Sequence, residues 1–247
     1  MSSKLSANHE ESLFETTTTT EAAAAVMDRR NVIISGLSTA ALVVGPSRPK
    51  VANAAYINPN NVKITQKVYM DIEYTPSPKE FGASVKPESK QGRIVIGLYG
   101  ENMPKVVDNF VELCKNKRYI GTTFYRLLAE LSIQGGNIDD LTGTGKSGKS
   151  SFDSSPTFEP DNFDIQHIGV EGIISMVRNY DGSVDSRFFI STAKEGDSSW
   201  ADDRYAAFGV VLDDGMNLIH SIEKDVNVKR PMNTPINPIT IVDCGIL

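Results

Sequence analysis

The chain has 247 residues, of which 40% are hydrophobic and 23% charged, with a formal net charge of −6. These are ordinary proportions for a soluble globular protein, and the length suits one large domain or two small ones. Residues 1–54 hold five basic and five acidic side chains, so the imbalance, 20 positive against 26 negative, lies in residues 55–247. That sign argues against nucleic-acid binding, which needs a basic face.

The chain opens on a Ser-containing stretch followed by runs of Thr and Ala, without sustained periodicity, and reads as disordered to about residue 25. Arg29-Arg30 then precede an apolar run from Asn31 to Gly45, and Ala52-Asn53-Ala54 follow. Charged, apolar and small residues in that order form an export signal with an A-x-A cleavage site. The run is too short for a membrane-spanning helix, which needs roughly 20 apolar residues, and the arginine pair adds a twin-arginine address. With further sequence ahead of it, the leader resembles the second half of a bipartite plant import signal to the thylakoid lumen. Glu10, Glu11, Glu15, Glu21 and Asp28 depart from the acid-poor composition of transit peptides, which keeps a bacterial periplasmic origin open. The expected organisation is a leader over 1–54 and one domain over 55–247, its core starting near residue 62.

From there the hydrophobic period is two. Val68, Met70, Ile72 and Tyr74 alternate with polar residues, as do Ile94, Ile96 and Leu98, which predicts paired strands. Residues 75–92, TPSPKEFGASVKPESKQG, are polar with three prolines and read as a loop. The stretch 103–117 switches to helical spacing, with Met103, Val107, Phe110, Val111 and Cys114 on one face and Pro104 suited to the first turn. Further strand-like runs are TTFYRLL, GIISMV, RFFIST, AAFGVV and PITIVDCGIL. Many short strands with one or two helices suggest a closed or nearly closed β-barrel.

Residues 143–150, GTGKSGKS, satisfy the phosphate-loop pattern. That chemistry needs a buried strand before the loop and a helix after it, and neither GGNIDDLT nor SFDSSPTFEPDNF qualifies. Cys114 and Cys244 have no His or Cys neighbours at metal spacing, which speaks against zinc and leaves a disulfide or two packed thiols open. Outside the leader the histidines are His167 and His220. No Ser-His-Asp motif or carboxylate pair accompanies them, and His167 reads as a hydrogen-bonded turn or core residue. No cofactor or metal is implied.

One stretch stands apart. Residues 122–137, TTFYRLLAELSIQGGN, carry Arg126 among apolar neighbours and close on Gln134-Gly135-Gly136. Taken in order with GTG, GIISMV, RFFIST, a lone Trp200, AAFG and ITIVDCGIL, the chain resembles the cyclophilins from about Val68 to Leu247. These are peptidyl-prolyl cis-trans isomerases. The resemblance implies a mainly β fold, a closed eight-stranded antiparallel barrel capped by two α-helices, acting as a monomer on proline-containing peptide or protein clients.

The implied chemistry needs no nucleophile. Rotation about an X–Pro bond passes a barrier of roughly 18–20 kcal/mol from amide resonance, and a catalyst need only favour the twisted state over both planar ones. By resemblance Arg126 is the cation near the prolyl nitrogen, Gln134 supports it and holds the peptide backbone, and Phe189 floors the proline pocket. Trp200 is retained and Gly143 matches a glycine of the neighbouring groove. Several positions depart from the family. Leu131 and Ser132 stand where it has Phe and Met, and Met176-Val177-Arg178-Asn179 replaces the M-A-N-A stretch that pairs with substrate. Arg187 replaces a glutamine and adds a second positive charge near the site, Ala201 replaces a leucine, and Tyr205 replaces a rim histidine. Cyclosporin contacts map onto this altered wall, so weak binding of that drug is implied.

Two readings follow: an isomerase of reduced activity, favoured by Arg126, Gln134 and Phe189, and a non-catalytic peptide-binding or assembly module, favoured by Ser132, Arg187 and Ala201. A barrel holding a small apolar ligand has only fold-level analogy behind it. For the leader, sequencing of the native protein is expected to start at Ala55; a start well upstream would overturn that boundary.

Overall fold

The computed structural model describes residues 56–78, 87–140 and 143–247. The leader expectations, the residue 55 boundary and residues 79–86 of the 75–92 loop lie outside them. Strands β1 (Gln66–Tyr74) and β2 (Lys90–Leu98) pair antiparallel along their whole length, and the alternating Val68, Met70, Ile72 and Tyr74 of β1 face the core against Ile94, Ile96 and Leu98 of β2. The expected loop ends earlier than its composition suggests. Lys90–Gly92 pair with Tyr74–Ile72, held by a cross-strand contact from Gln91 Nε2 to Glu73 at 2.5 Å and by an ion pair of Lys90 Nζ with Asp225, at the end of the second helix, at 2.7 Å.

Helix α1 (Pro104–Lys115) follows with Pro104 in its first turn. Its expected face is buried at Met103, Val107, Phe110 and Cys114, widened by Val106, Asn109 and Leu113, while Val111 is half-buried. The remaining strands are β3 (Arg126–Leu128), β4 (Ser132–Gly135), β5 (Ile173–Arg178), β6 (Val184–Ser191), β7 (Ala207–Leu212), β8 (Val228–Lys229), β9 (Thr234–Pro235) and β10 (Ile239–Ile246), with helix α2 (Gly215–Asp225) after β7. β8 and β9 form a small separate hairpin. The other eight make one antiparallel sheet in the order β10-β1-β2-β7-β5-β6-β4-β3. α1 packs on β10 and β6, and α2 on β2 and β7.

The closed barrel expected from the sequence is realised differently. The sheet curls until its two ends meet, but the seam is a single bridge, Thr123 with Thr240, rather than a strand pair. Phe124 N–H donates to Ile239 O at 2.9 Å and Ile241 N–H to Thr122 O at 3.0 Å. This is why TTFYRLL is a strand only at Arg126–Leu128: its first half serves the seam.

Phe110 sits at the centre of the core, its ring 4.9 Å from Phe208, 5.3 Å from Tyr119 and 5.5 Å from Phe188. Cys114 and Cys244 are buried free thiols, with Cys244 Sγ 3.6 Å from the Cys114 carbonyl oxygen. Among the described residues no group of three or more His, Cys, Asp or Glu could hold a metal, and no helix is long and apolar enough to cross a membrane. His167 is fully buried, with Nδ1 3.0 Å from Asp202 Oδ1 and Nε2 2.7 Å from Ser175 Oγ. These are the residue types of a hydrolytic triad. Ser175 is itself fully buried, however, so no substrate reaches it, and the array instead ties the Asp202 turn to β5.

Burial holds the His167 imidazole below the usual histidine range, opposed in part by Asp202. The unfolded chain therefore binds the proton more readily, so stability should fall as the pH drops below about 6.5 towards the depressed native value. Melting temperatures at pH 7.5 and 5.0 should show this decline, and His167→Gln should flatten it; an unchanged slope would assign the titration elsewhere. Phe110→Ala should cost about 3–5 kcal/mol in denaturant unfolding, the usual range for a central core phenylalanine.

Candidate active site

Register builds the site. Arg126 of β3 stands opposite Gln134 of β4, Gln134 opposite Phe189 of β6, and Phe189 opposite Ser175 of β5. Residues paired across strands share a face, so these side chains form one row across the sheet. The adjacent row is Leu128, Ser132 and Ser191. Over these rows lies a cleft of about 190 Å³, walled by Arg126, Leu128, Leu131, Ser132 and Gln134 on one side and by Val177, Arg178, Phe189, Trp200 and Tyr205 on the other.

Arg126 is not an arginine buried among apolar neighbours. Alternation turns Tyr125 and Leu127 inward, at 7% and 2% exposure, and Arg126 outward, where it has no hydrogen bond or ion pair among the described residues. A guanidinium has five N–H donors in a fixed fork, and here all of them are free at the rim. A purely structural role as a salt-bridged barrel residue would need a carboxylate partner, and none pairs with it among the described residues.

Phe189 forms the floor at 1% exposure. Trp200 stacks on it with centroids 5.7 Å apart and planes at 28°, and Tyr205 meets it edge-on at 5.1 Å. Trp200 and Tyr205 also contact each other at 5.7 Å, so three rings brace one another. The double glycine has a steric reason. Gly136 has φ +83°, and a Cβ there would come within 2.6 Å of the Ser186 carbonyl oxygen. Gln134 is half-buried beside the Arg126 row and makes no side-chain hydrogen bond among the described residues.

Of the altered positions, Ser132 is fully buried and its hydroxyl has no partner among the described residues, while Leu131 forms a half-buried wall. The ladder of β5 with β7 ends at Ser175–Ala207, followed by Met176 N–H to Ala206 O at 3.1 Å, which leaves the β7-facing edge of β5 open at Val177 and Arg178, while on the other edge Arg178 pairs with Val184. The Arg178 side chain turns away from the mouth, with Nε donating to Gly182 O at 3.3 Å and the guanidinium 5.3 Å over the Phe163 ring.

Four expected site residues lie outside this cleft. Arg187 shares the β6 face of Phe189 but is 5% exposed, and Nε and NH2 both engage the Asp185 carboxylate, the shortest contact being 2.6 Å. NH1 donates to Gly145 O at 2.8 Å, and NH2 also bonds Asn179 Oδ1. The expected second positive charge is therefore neutralised internally. Asn179 belongs to the same cluster, its Nδ2 donating to Ser183 Oγ at 3.1 Å. Ala201 is fully buried in the turn after Trp200. Gly143 lines a different hollow of about 570 Å³, with Arg118, Thr122, Asn137 and Asp139. Two glycines of the phosphate-loop look-alike have steric reasons of their own: a Cβ on Gly145 would come within 2.2 Å of the Tyr125 ring, and one on Gly148 within 2.4 Å of the Asp185 carboxylate. Leu128 is a wall residue the sequence reading missed; its period-two relation to Arg126 was the available signal.

Comparison with known proteins agrees with this geometry. Residues 84–246 match the family model described as cyclophilin type peptidyl-prolyl cis-trans isomerase/CLD. The chain is 37% identical over 195 residues to peptidyl-prolyl cis-trans isomerase B of Saccharomyces cerevisiae, covering 76% of this chain and 83% of that one. It is 36% identical to peptidyl-prolyl cis-trans isomerase D of the same yeast, over 74% of this chain and 73% of that one. With peptidyl-prolyl cis-trans isomerase CYP21-1 of Arabidopsis thaliana it shares 33% identity, over 74% and 76% of the two chains. A matched model over most of the described sheet, and relatives aligned along most of their own length, place this chain in the cyclophilin-type peptidyl-prolyl cis-trans isomerase family.

Proposed function

We propose that the chain accelerates rotation about X–Pro bonds in polypeptide clients, using the cleft between Arg126 and Phe189. The observation that carries this is the row itself: a free guanidinium, an amide and an aromatic floor in register on three adjacent strands. The proline ring rests on Phe189 between Trp200 and Tyr205. The client backbone lies along the unpartnered edge of β5 at Val177, with Gln134 holding its carbonyl. As the X–Pro bond twists, amide resonance is lost and the nitrogen lone pair localises. Arg126 donates an N–H to that lone pair, an interaction the planar ground states lack, so it stabilises the twisted state selectively. No bond to the enzyme forms.

Activity is reduced by Leu131 and Ser132, which leave the aromatic floor with a softer, partly polar wall. Weak cyclosporin binding follows from the same two residues. The alternative of a non-catalytic binding module loses part of its support, because Arg187 is neutralised and Ala201 does not face the cleft. Its remaining support is the orphan hydroxyl of Ser132. The twin arginine, the apolar run and Ala52-Asn53-Ala54 support delivery to the thylakoid lumen, with the bacterial periplasm as the other destination. The domain acts there as a monomer.

A proline-isomerisation assay on residues 55–247 tests the reading. Arg126→Ala should lose about 10²–10³-fold in kcat/KM, the usual loss when one preorganised donor to the transition state is removed. Background rates for both proteins would leave the binding-module reading. Leu131→Phe combined with Ser132→Met should raise kcat/KM; no gain would assign the limit to Val177 instead.

A further inference from the structure

Beside the cleft lies a second hollow. The end of β3, the 129–131 turn, the end of α2 and the β8–β9 hairpin enclose a groove of about 380 Å³. Leu128 and Leu131 line both the cleft and this groove, so the two share a wall. Beyond that wall the groove is lined by the half-buried Val228, the almost fully buried Leu127 and Val226, and Asn227 and Asn233, and Arg230 stands at it, exposed and without an ion pair among the described residues. The Glu223 side chain is only 9% exposed, with Oε1 accepting from Thr192 Oγ1 at 2.6 Å and from Glu130 N–H at 3.2 Å and Oε2 3.4 Å from His220 Nδ1, so Arg230 is the exposed charge of the groove. The hairpin flanking the groove also exposes Met232 at 68% and Ile236 at 58%.

The direction a client takes follows from the ends of the cleft. At about 190 Å³ the cleft holds a proline ring and little of its neighbours. Along β6 towards Arg187, the side chains of Arg187, Asp185 and Asn179 bond one another and the Gly145 carbonyl, which offers a client neither a free charge nor an apolar seat. Along the opposite direction the wall is the half-exposed Leu128–Leu131 pair, and the groove opens behind it.

We infer that this groove is an extended client subsite, seating an apolar side chain close to the isomerised proline, with a carboxylate beyond it directed at Arg230. Because Leu128 and Leu131 line both hollows, the apolar residue stands close to the proline in the client chain. The inference rests on the isomerase reading and names its client class: proline segments followed or preceded at short distance by an apolar and then an acidic residue.

The test compares matched peptides. A four-residue X–Pro peptide probes the cleft alone, and ten-residue peptides carry Leu then Asp on either side of the same core. On one side the long peptide should show a KM lower by about tenfold with kcat unchanged. Val228→Asp should abolish that gain while leaving turnover of the short peptide as in the unaltered chain, which also reports that the variant is folded. Arg230→Glu should remove the preference for Asp over Lys in the peptide. Long peptides no better than the short one, or a gain that survives Val228→Asp, would overturn the subsite. If even the short peptide is not turned over, the isomerase reading fails instead, and calorimetric binding of the long peptide to both proteins still decides the groove. Sedimentation showing a dimer lost in Val228→Asp would assign the groove to a second copy and overturn the client role.

Discussion

The geometry of the candidate site depends on strand register. Arg126, Gln134 and Phe189 come from β3, β4 and β6, two of them separated by 63 residues of chain, and only the pairing of those strands aligns them. A slip of one residue in β4 would turn Gln134 into the core and Ile133 into the cleft. What fixes the register is the burial of the opposite face: Leu127, Ile133, Phe188 and Ile190 are all 2% exposed or less. The apolar core thus sets the positions of the polar row. Phe110, whose ring touches Phe188, connects α1 to the same arrangement.

That dependence explains what the sequence did and did not disclose. Strand faces were legible at β1 and β2 because one side is core and the other solvent, so the alternation is strong. The row Arg126–Gln134–Phe189 was legible through family resemblance, while its alignment needed the ladder. Arg187 misled because a charge two residues from Phe189 reads as a charge in the site. Its partner Asp185 is only two positions away on the same face, a spacing that could have signalled an internal pair. Gly143 and Asn179 could not be placed from spacing, since loops between strands carry no period. The seam was hidden for a related reason: Thr122–Phe124 alternate like a strand, yet their hydrogen bonds go to β10, a partner more than a hundred residues away.

The buried groups around the site divide into satisfied and unsatisfied. The Arg187–Asp185 pair carries several hydrogen bonds beyond its ionic contact, the condition under which a buried ion pair is tolerated. His167 likewise has both ring nitrogens engaged. Among the described residues Ser132 Oγ, the Trp200 indole N–H and Asn137 Oδ1 are the exceptions; the first two line the cleft, and Asn137 lines the hollow of Gly143. Two of these three groups line the candidate cleft, in keeping with a pocket whose residues are not selected for stability alone.

The single-bridge seam has one more consequence. Thr123, which makes the bridge, is three residues from Arg126 on one uninterrupted backbone stretch. The ring is fastened and the cleft's cation is mounted by the same short piece of chain. In this molecule the clasp and the working part are a single component.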